Sequence, residues 1–179
     1  PFGPRVTFLQ QSVLSPLAEA FKAHDIHAVA HLAYLVKAGH NRNGARAVNV
    51  DGTAGVLQAC ERAKVGRVVY LSSTSVYGAH RDNPNAIAEE IEPRPLLGFS
   101  YSQDKLASEK LIESFGVRAS AEVTILRACP VLGASADNAI AGAFLKPILL
   151  GVWGHDPPLQ FLHEDDAAGV LARCLLNPA

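Results

Sequence analysis

Four short runs of apolar and β-branched residues alternate with segments whose apolar residues recur three or four positions apart. That alternation most limits what this chain can become. The runs are Arg5–Leu9, His27–Leu32, Arg67–Ser72 and Glu122–Arg127. The helical segments between them are Pro16–Lys22, Ala45–Ala63 and Tyr101–Phe115. The runs are almost continuously hydrophobic, as in Val68-Val69-Tyr70-Leu71, which suits strands covered on both faces. Strands that take turns with helices require crossover connections. The expectation is an α/β fold around a parallel sheet.

The punctuation agrees. Gly66 is expected to end the long helix before Arg67, and Gly116 to end the next one before the run at Glu122. Residues 78–98 hold Gly78, Asn83-Pro84, Pro93, Pro95 and Gly98 and read as a long loop. The segment 134–160 pairs one apolar helical stretch with Gly154-His155-Asp156-Pro157-Pro158 and reads as part of a cap or substrate-binding region. The expected division is a core over 1–133 and that region over 134–179.

With 179 residues, 49% hydrophobic and 18% charged, the chain has the composition of one globular domain. A net charge of −1 with no Lys/Arg cluster argues against nucleic acid as a partner. The most apolar stretch, Ala139 to Trp153, is broken by Lys146 and Pro147, so no membrane span is expected. Cys60, Cys129 and Cys174 are odd in number and lie in no metal-ligand spacing, so no metal is expected. They fit small buried side chains in a reducing cytoplasm. The chain has no methionine and begins at Pro1, so a preceding segment, removed or simply not included, is expected.

The residues with chemistry are Ser72-Ser73, at the end of a strand, and Tyr101 with Lys105 further on. Tyr-x-x-x-Lys on a helix puts both side chains on one face. An adjacent ammonium would favour the phenolate and lower the tyrosine pKa toward neutrality. The Ser73 hydroxyl could hydrogen-bond the same substrate oxygen, because ligands of open α/β sheets bind at the carboxyl ends of the strands. Tyr101 would then exchange a proton with a carbinol or ketone while a nicotinamide carried the hydride.

A series of motifs in one order carries a resemblance. They are Ala30-His31-Leu32-Ala33, Val48-Asn49-Val50-Asp51-Gly52-Thr53, Leu71-Ser72-Ser73-Thr74-Ser75-Val76-Tyr77-Gly78, then Tyr101 and Lys105. Ile125-Leu126-Arg127 through Val131-Leu132-Gly133 and Phe161-Leu162-His163-Glu164-Asp165-Asp166 complete it. Together they resemble the extended short-chain dehydrogenases/reductases, in particular the NAD-dependent epimerase/dehydratase group. The resemblance implies a Rossmann-like doubly wound sheet, NAD or NADP as cofactor, and a small-molecule substrate (a sugar nucleotide or another hydroxyl or ketone compound). It makes Tyr101 the acid/base and Lys105 the group that lowers its pKa and holds the nicotinamide ribose. Ser73 becomes the partner of the substrate oxygen, and Ser72 a backbone contact. The cofactor surface it implies comprises Ser12, Val13, Leu32, Ala33, Asn49, Ser72, Tyr101, Lys105, Ala128 and Val131. Asn49 either orients the Lys105 side of the site or makes a polar contact inside its helix. His31 reads as a packed core histidine, and Asp165 or Asp166 as the cap of the following helix. A homodimer is implied through Ala45–Ala63 and Tyr101–Phe115, whose Val56, Leu57, Cys60, Leu106, Leu111 and Ile112 exceed one sheet-facing stripe.

The chain departs from the group's pattern in several places. No Gly-x-x-Gly-x-x-Gly precedes Arg5, so the sequence opens at what resembles the third strand, without the helix N-terminus that holds a pyrophosphate. NAD and NADP are therefore not distinguished, and weak cofactor binding is expected of this stretch alone. Ser12 stands where the group places an acidic residue near the adenine. Pro130 replaces an asparagine usual in sugar-nucleotide enzymes, which argues against a nucleoside-diphosphate sugar. Thr74 and Ser75 occupy the positions of the acidic pair of sugar dehydratases, which leaves epimerase and dehydrogenase/reductase as the activities implied. The alternative from another class is a nucleotide-sensing binding protein on the same fold, or a stretch that is inert by itself.

Overall fold

A computed structural model describes residues 6–36, 42–136, 138–144, 146–148, 151, 153–154 and 158–177. Arg5 and the His155-Asp156-Pro157 stretch lie outside the described residues. In chain order the elements are α1 (Ala18–Ala23), β1 (Ala28–His31), α2 (Arg42–Arg46), a π-helical segment (Ala47–Asp51), α3 (Gly52–Ala63), β2 (Arg67–Ser73) and a 3-10 turn (Thr74–Tyr77). They continue with α4 (Ser100–Ala119), β3 (Glu122–Ala128), β4 (Val131–Leu132), α5 (Ala139–Phe144), β5 (Leu162–His163) and α6 (Glu164–Leu176).

β1, β2 and β3 form a three-stranded parallel sheet in that order. β4 and β5 make a separate two-stranded parallel pair. The α/β reading is correct, and its three later strand runs are strands. The first is not. Residues 6–11 form no strand, because no described strand lies beside them to complete a ladder, and Phe8 is left 78% exposed.

Alternation along β2 turns Val68, Tyr70 and Ser72 toward α3 and α4. Val68 and Tyr70 pack there with Val56, Leu57, Cys60, Ile112 and Phe115. Leu71 points the other way, where it shares a cavity wall with Ala167 and Val170 of α6. Helices thus cover both faces, as the unbroken apolar character of the run requires. Val56, Leu57, Cys60 and Ile112 are spent on this core, and only Leu106 and Leu111 of the expected dimer surplus remain half-buried. Burial pushes the Cys60 thiol up to about 12. Cys129 lies just past β3 and Cys174 on α6, both outside the core formed with α3 and α4, and both are only half-buried.

Two helix ends differ from the expectation. α3 stops at Ala63 with Lys64 in the left-handed region, so Gly66 is not its cap. Gly66 opens the sheet instead: its N–H donates to the His27 carbonyl at 3.1 Å and its own carbonyl accepts from Glu122 at 2.9 Å. α4 runs past Gly116 to Ala119, and Ser120 takes the left-handed turn. Gly116 is inside the helix for want of space, since a Cβ there would sit 2.9 Å from Val123 Cγ2 on β3. The start of α6 is capped by His163, whose Nδ1 accepts from the Asp165 N–H at 3.3 Å. Asp165 and Asp166 fall within the first helical turn, two and three positions past the cap, where they favour the positive end of the helix dipole.

Candidate active site

The carboxyl end of β2 and the first turns of α4 come together. Ser73 is the last residue of β2, and Tyr101 and Lys105 lie on successive turns of α4. Ser73 has extended backbone, and its hydroxyl accepts from the Ser75 N–H at 3.2 Å, which starts the 3-10 turn. The same hydroxyl lies close enough to the half-buried Tyr101 phenol to affect its titration.

The electrostatics correct one expectation. Burial raises the Tyr101 phenol above its ordinary value, and Ser73 partly opposes this. The expected lowering by Lys105 does not occur, because the ammonium is engaged elsewhere. Lys105 Nζ donates to the Leu71 carbonyl at 2.6 Å and sits 3.9 Å from the Tyr34 ring centroid and 4.8 Å from that of Tyr70. Burial brings Lys105 down to about 8, with the Glu109 charge opposing the shift, so it remains largely protonated at neutral pH.

Tyr34 carries no signal in the motifs, yet it touches both residues of the pair. Its phenol donates to the Tyr101 carbonyl at 2.9 Å, and the two rings meet edge to face at 5.2 Å. Only the chemistry of an aromatic residue just past β1 could have indicated it. Asn49, buried on the π-helical segment, explains how Tyr34 is held. Its Oδ1 accepts from the Leu35 N–H at 2.8 Å and its Nδ2 donates to the Leu35 carbonyl at 3.2 Å. Asn49 therefore clamps the segment after β1, and its side chain bonds Leu35 rather than Lys105.

The other expected residues divide. Leu32 and Ala33 are exposed just beyond the carboxyl end of β1, open to a ligand. Ser72 is buried, and its hydroxyl donates to Glu109. Ala128 ends β3 level with Ser73, and its carbonyl accepts weakly from Thr74 Oγ1 at 3.5 Å. Val131 lies on β4 and accepts through its carbonyl from Asn138 Nδ2 at 2.8 Å. Ser12 is exposed, with its hydroxyl accepting from the Leu14 N–H at 3.2 Å. Val13 packs on α3: a Cβ on Gly52 would lie 2.7 Å from its Cγ2.

His31 is a core residue, as expected. It is 4% exposed and stacked on Tyr70, with Nε2 2.9 Å from Thr53 Oγ1. Thr53 donates its proton to the Asn49 carbonyl at 2.6 Å, so the imidazole nitrogen is the donor in this pair. Burial, aided by the Lys105 charge, lowers the imidazole to about 4 and keeps it neutral.

A cavity of about 800 Å³ begins at Thr74, one residue past Ser73, and runs between the 78–98 loop and residues 158–161. Tyr77, Cys129, Pro130 and the edge-to-face pair Phe144–Phe161 form its walls. Beside it, the Ser75 hydroxyl is buried with no hydrogen-bond partner among the described residues. No group of three or more His, Cys, Asp or Glu among the described residues could hold a metal ion. No described helix is long and apolar enough to cross a membrane.

Comparison with known proteins identifies the family. The profile of the NAD dependent epimerase/dehydratase family matches residues 5–179. An uncharacterized protein of Mycobacterium tuberculosis is 29% identical over 177 residues, 96% of this chain and 47% of that protein. Short-chain dehydrogenase/reductase family 42E member 1 of Macaca fascicularis is 33% identical over 131 residues, 69% of this chain and 33% of the relative. Among solved structures, MoeE5 in complex with UDP-glucose and NAD superposes with a TM-score of 0.77 at 28% identity, over 94% of this chain and 58% of that one. The chain spans about half the length of the first curated relatives it matches.

Proposed function

The chain belongs to the NAD dependent epimerase/dehydratase family, and on that premise we propose that it serves an NAD(P)-dependent oxidoreductase or epimerase acting on a carbinol or ketone carbon. The observation that carries the reading is that the Tyr101 phenol lies beside Ser73 at the carboxyl end of β2, while Lys105, one turn on along α4, donates to the Leu71 carbonyl of the same strand. The Lys105 ammonium has three donors, and among the described residues only the Leu71 carbonyl accepts from it. Its spare donors suit the hydroxyls of a nicotinamide ribose, and the exposed Leu32–Ala33 backbone suits a cofactor lying across the strand ends. When bound, the cofactor supplies the hydride acceptor or donor.

The chain's own residues do the proton chemistry in this reading. Tyr101 holds its proton at the substrate oxygen, and Ser73 contributes a second hydrogen bond to the same atom. Ser73 offsets part of the burial that raises the phenol, and Lys105, held on the Leu71 carbonyl, keeps its charge one turn along α4 for the ribose. Tyr34 keeps the ammonium on this side of α4. The Thr74–Phe161 cavity would take the body of the substrate. MoeE5 binds UDP-glucose and NAD in its structure. A sugar nucleotide is therefore one substrate class for this chain, and another secondary alcohol or ketone is the second. Pro130 favours the latter, since it offers the cavity only a ring and spends its carbonyl on Leu162 at 3.1 Å. Incubation with NAD or NADP and panels of both classes, followed by NAD(P)H absorbance or by epimer analysis, tests the reading. Turnover at the wild-type rate in Tyr101→Phe would refute it.

The same reading includes a homodimer through the outer faces of α3 and α4. Half-buried Leu106, with Val117 at 86% exposure, leaves apolar surface on α4, whereas Leu111 packs against the core. A monomer by light scattering would exclude it.

A further inference from the structure

Arg127 pairs with Ser72 across the β2–β3 ladder, at the end of the sheet that carries Ser73. Its guanidinium bonds in three directions. Nη2 donates to Glu109 Oε2 at 2.9 Å and Nε to Oε1 at 3.2 Å. Nη1 donates to the Tyr77 hydroxyl at 2.7 Å and to the Glu89 carbonyl at 3.3 Å. Glu109, only 1% exposed, also accepts from Ser72.

A carboxylate this deep is tolerated only when paired, and the bidentate contact alone meets that need. The two further bonds do something else. Tyr77 ends the turn that follows Ser73, and Glu89 lies in the 78–98 loop, whose residues 79, 80 and 83–87 form one wall of the large cavity. The first part of that loop is tied to its own far side. Arg94 bonds Asp82 at 2.9 Å and Asn83 at 3.0 Å, and His80 meets the Arg94 carbonyl at 2.7 Å. Among the described residues, Arg127–Glu89 is the hydrogen bond that joins residues 84–92 to the sheet.

We propose that Arg127, anchored on Glu109, is a positioning residue that seats the 78–98 loop and the Thr74–Tyr77 turn against the strand ends and so sets the wall of the cavity beside Ser73. That this wall meets a substrate rests on the function proposed above; the seating itself does not. Lysine at this position keeps a cation for Glu109 but cannot reach Tyr77 and Glu89 at the same time.

Limited proteolysis of the folded protein with a glutamate-specific protease, with cut sites read by mass spectrometry, tests the seating. In Arg127→Lys, cleavage after Glu89 and Glu90 should rise about tenfold, as expected for losing a charge-assisted tie on a local opening. Cleavage after Glu61 and Glu113, on α3 and α4, should not change. Tyr77→Phe, which keeps the ion pair, should raise the same loop cuts by a smaller factor. It carries the test by itself if the lysine variant does not fold. Loop cleavage at the wild-type rate, or a parallel rise at Glu61 and Glu113, would overturn the proposal. Failure of the Tyr101→Phe test would leave these cut rates as expected, so the two readings fail separately.

Discussion

Lys105 holds its ammonium 3.9 Å from the centre of the Tyr34 ring, with a single carbonyl, that of Leu71, as its hydrogen-bond acceptor among the described residues. A buried cation with so few acceptors depends on the ring face for part of its stabilisation. Tyr34→Leu and Tyr34→Phe should therefore differ. Both lose the phenol bond to Tyr101, but only the phenylalanine keeps a π face. We expect Lys105 to titrate lower in the leucine variant than in the phenylalanine variant by roughly half a unit to one unit. Competitive amine labelling across pH, read at the Lys105 peptide, measures it. Equal midpoints would show that the ring face contributes nothing.

His31 gives the fold an acid sensitivity whose sign is fixed. Its folded value of about 4 lies below the ordinary 6.5, so between these values the unfolded chain binds the proton that the folded chain refuses. Stability should be fully present above about pH 6.5 and should fall on acidification toward pH 4, by up to about 3 kcal/mol. Urea unfolding at a series of pH values would show the slope, and His31→Gln should flatten it. An unchanged slope in that variant would place the titration elsewhere.

Gly116→Ala should lower stability, although alanine usually improves a helix interior by about 1 kcal/mol. The added methyl would stand 2.9 and 3.0 Å from the two γ carbons of Val123. Overpacking of a stiff β-branched neighbour costs about 1–3 kcal/mol. Adding Val123→Ala should recover part of the loss, giving a double variant less destabilised than the sum of the two. Thermal denaturation decides both points, and a more stable Gly116→Ala would contradict the helix–strand contact.

The sequence shows the sheet and its helices well because each is written in periodicity. The runs at Ala28, Arg67 and Glu122 are strands almost to the residue, and Tyr101 and Lys105 lie on one helix as their spacing requires. Relations set by tertiary contact are not legible in this way. Residues 6–9 have the composition of a strand but no described neighbour to pair with, and composition carries no information about neighbours. Gly116 reads as a terminator and is in fact a gap for Val123. His163 caps α6 from an extended backbone position, which puts its ring ahead of the acidic residues that the sequence offers as caps. At the site the motif named the pair, whereas Tyr34 and Arg127 act through side-chain directions that no spacing reveals. The phenol's raised value likewise comes from burial, which a Tyr-x-x-x-Lys spacing does not report.

The central claim is that Tyr101 exchanges the proton of the substrate oxygen, and Tyr101→Phe in the active protein tests it most directly. With a substrate identified from the two panels, the rate of the chemical step should fall by ~10²–10⁴ while the dissociation constant for the cofactor stays within about twofold. A variant that turns over at the wild-type rate would contradict the account, as would one that loses cofactor binding in proportion to activity.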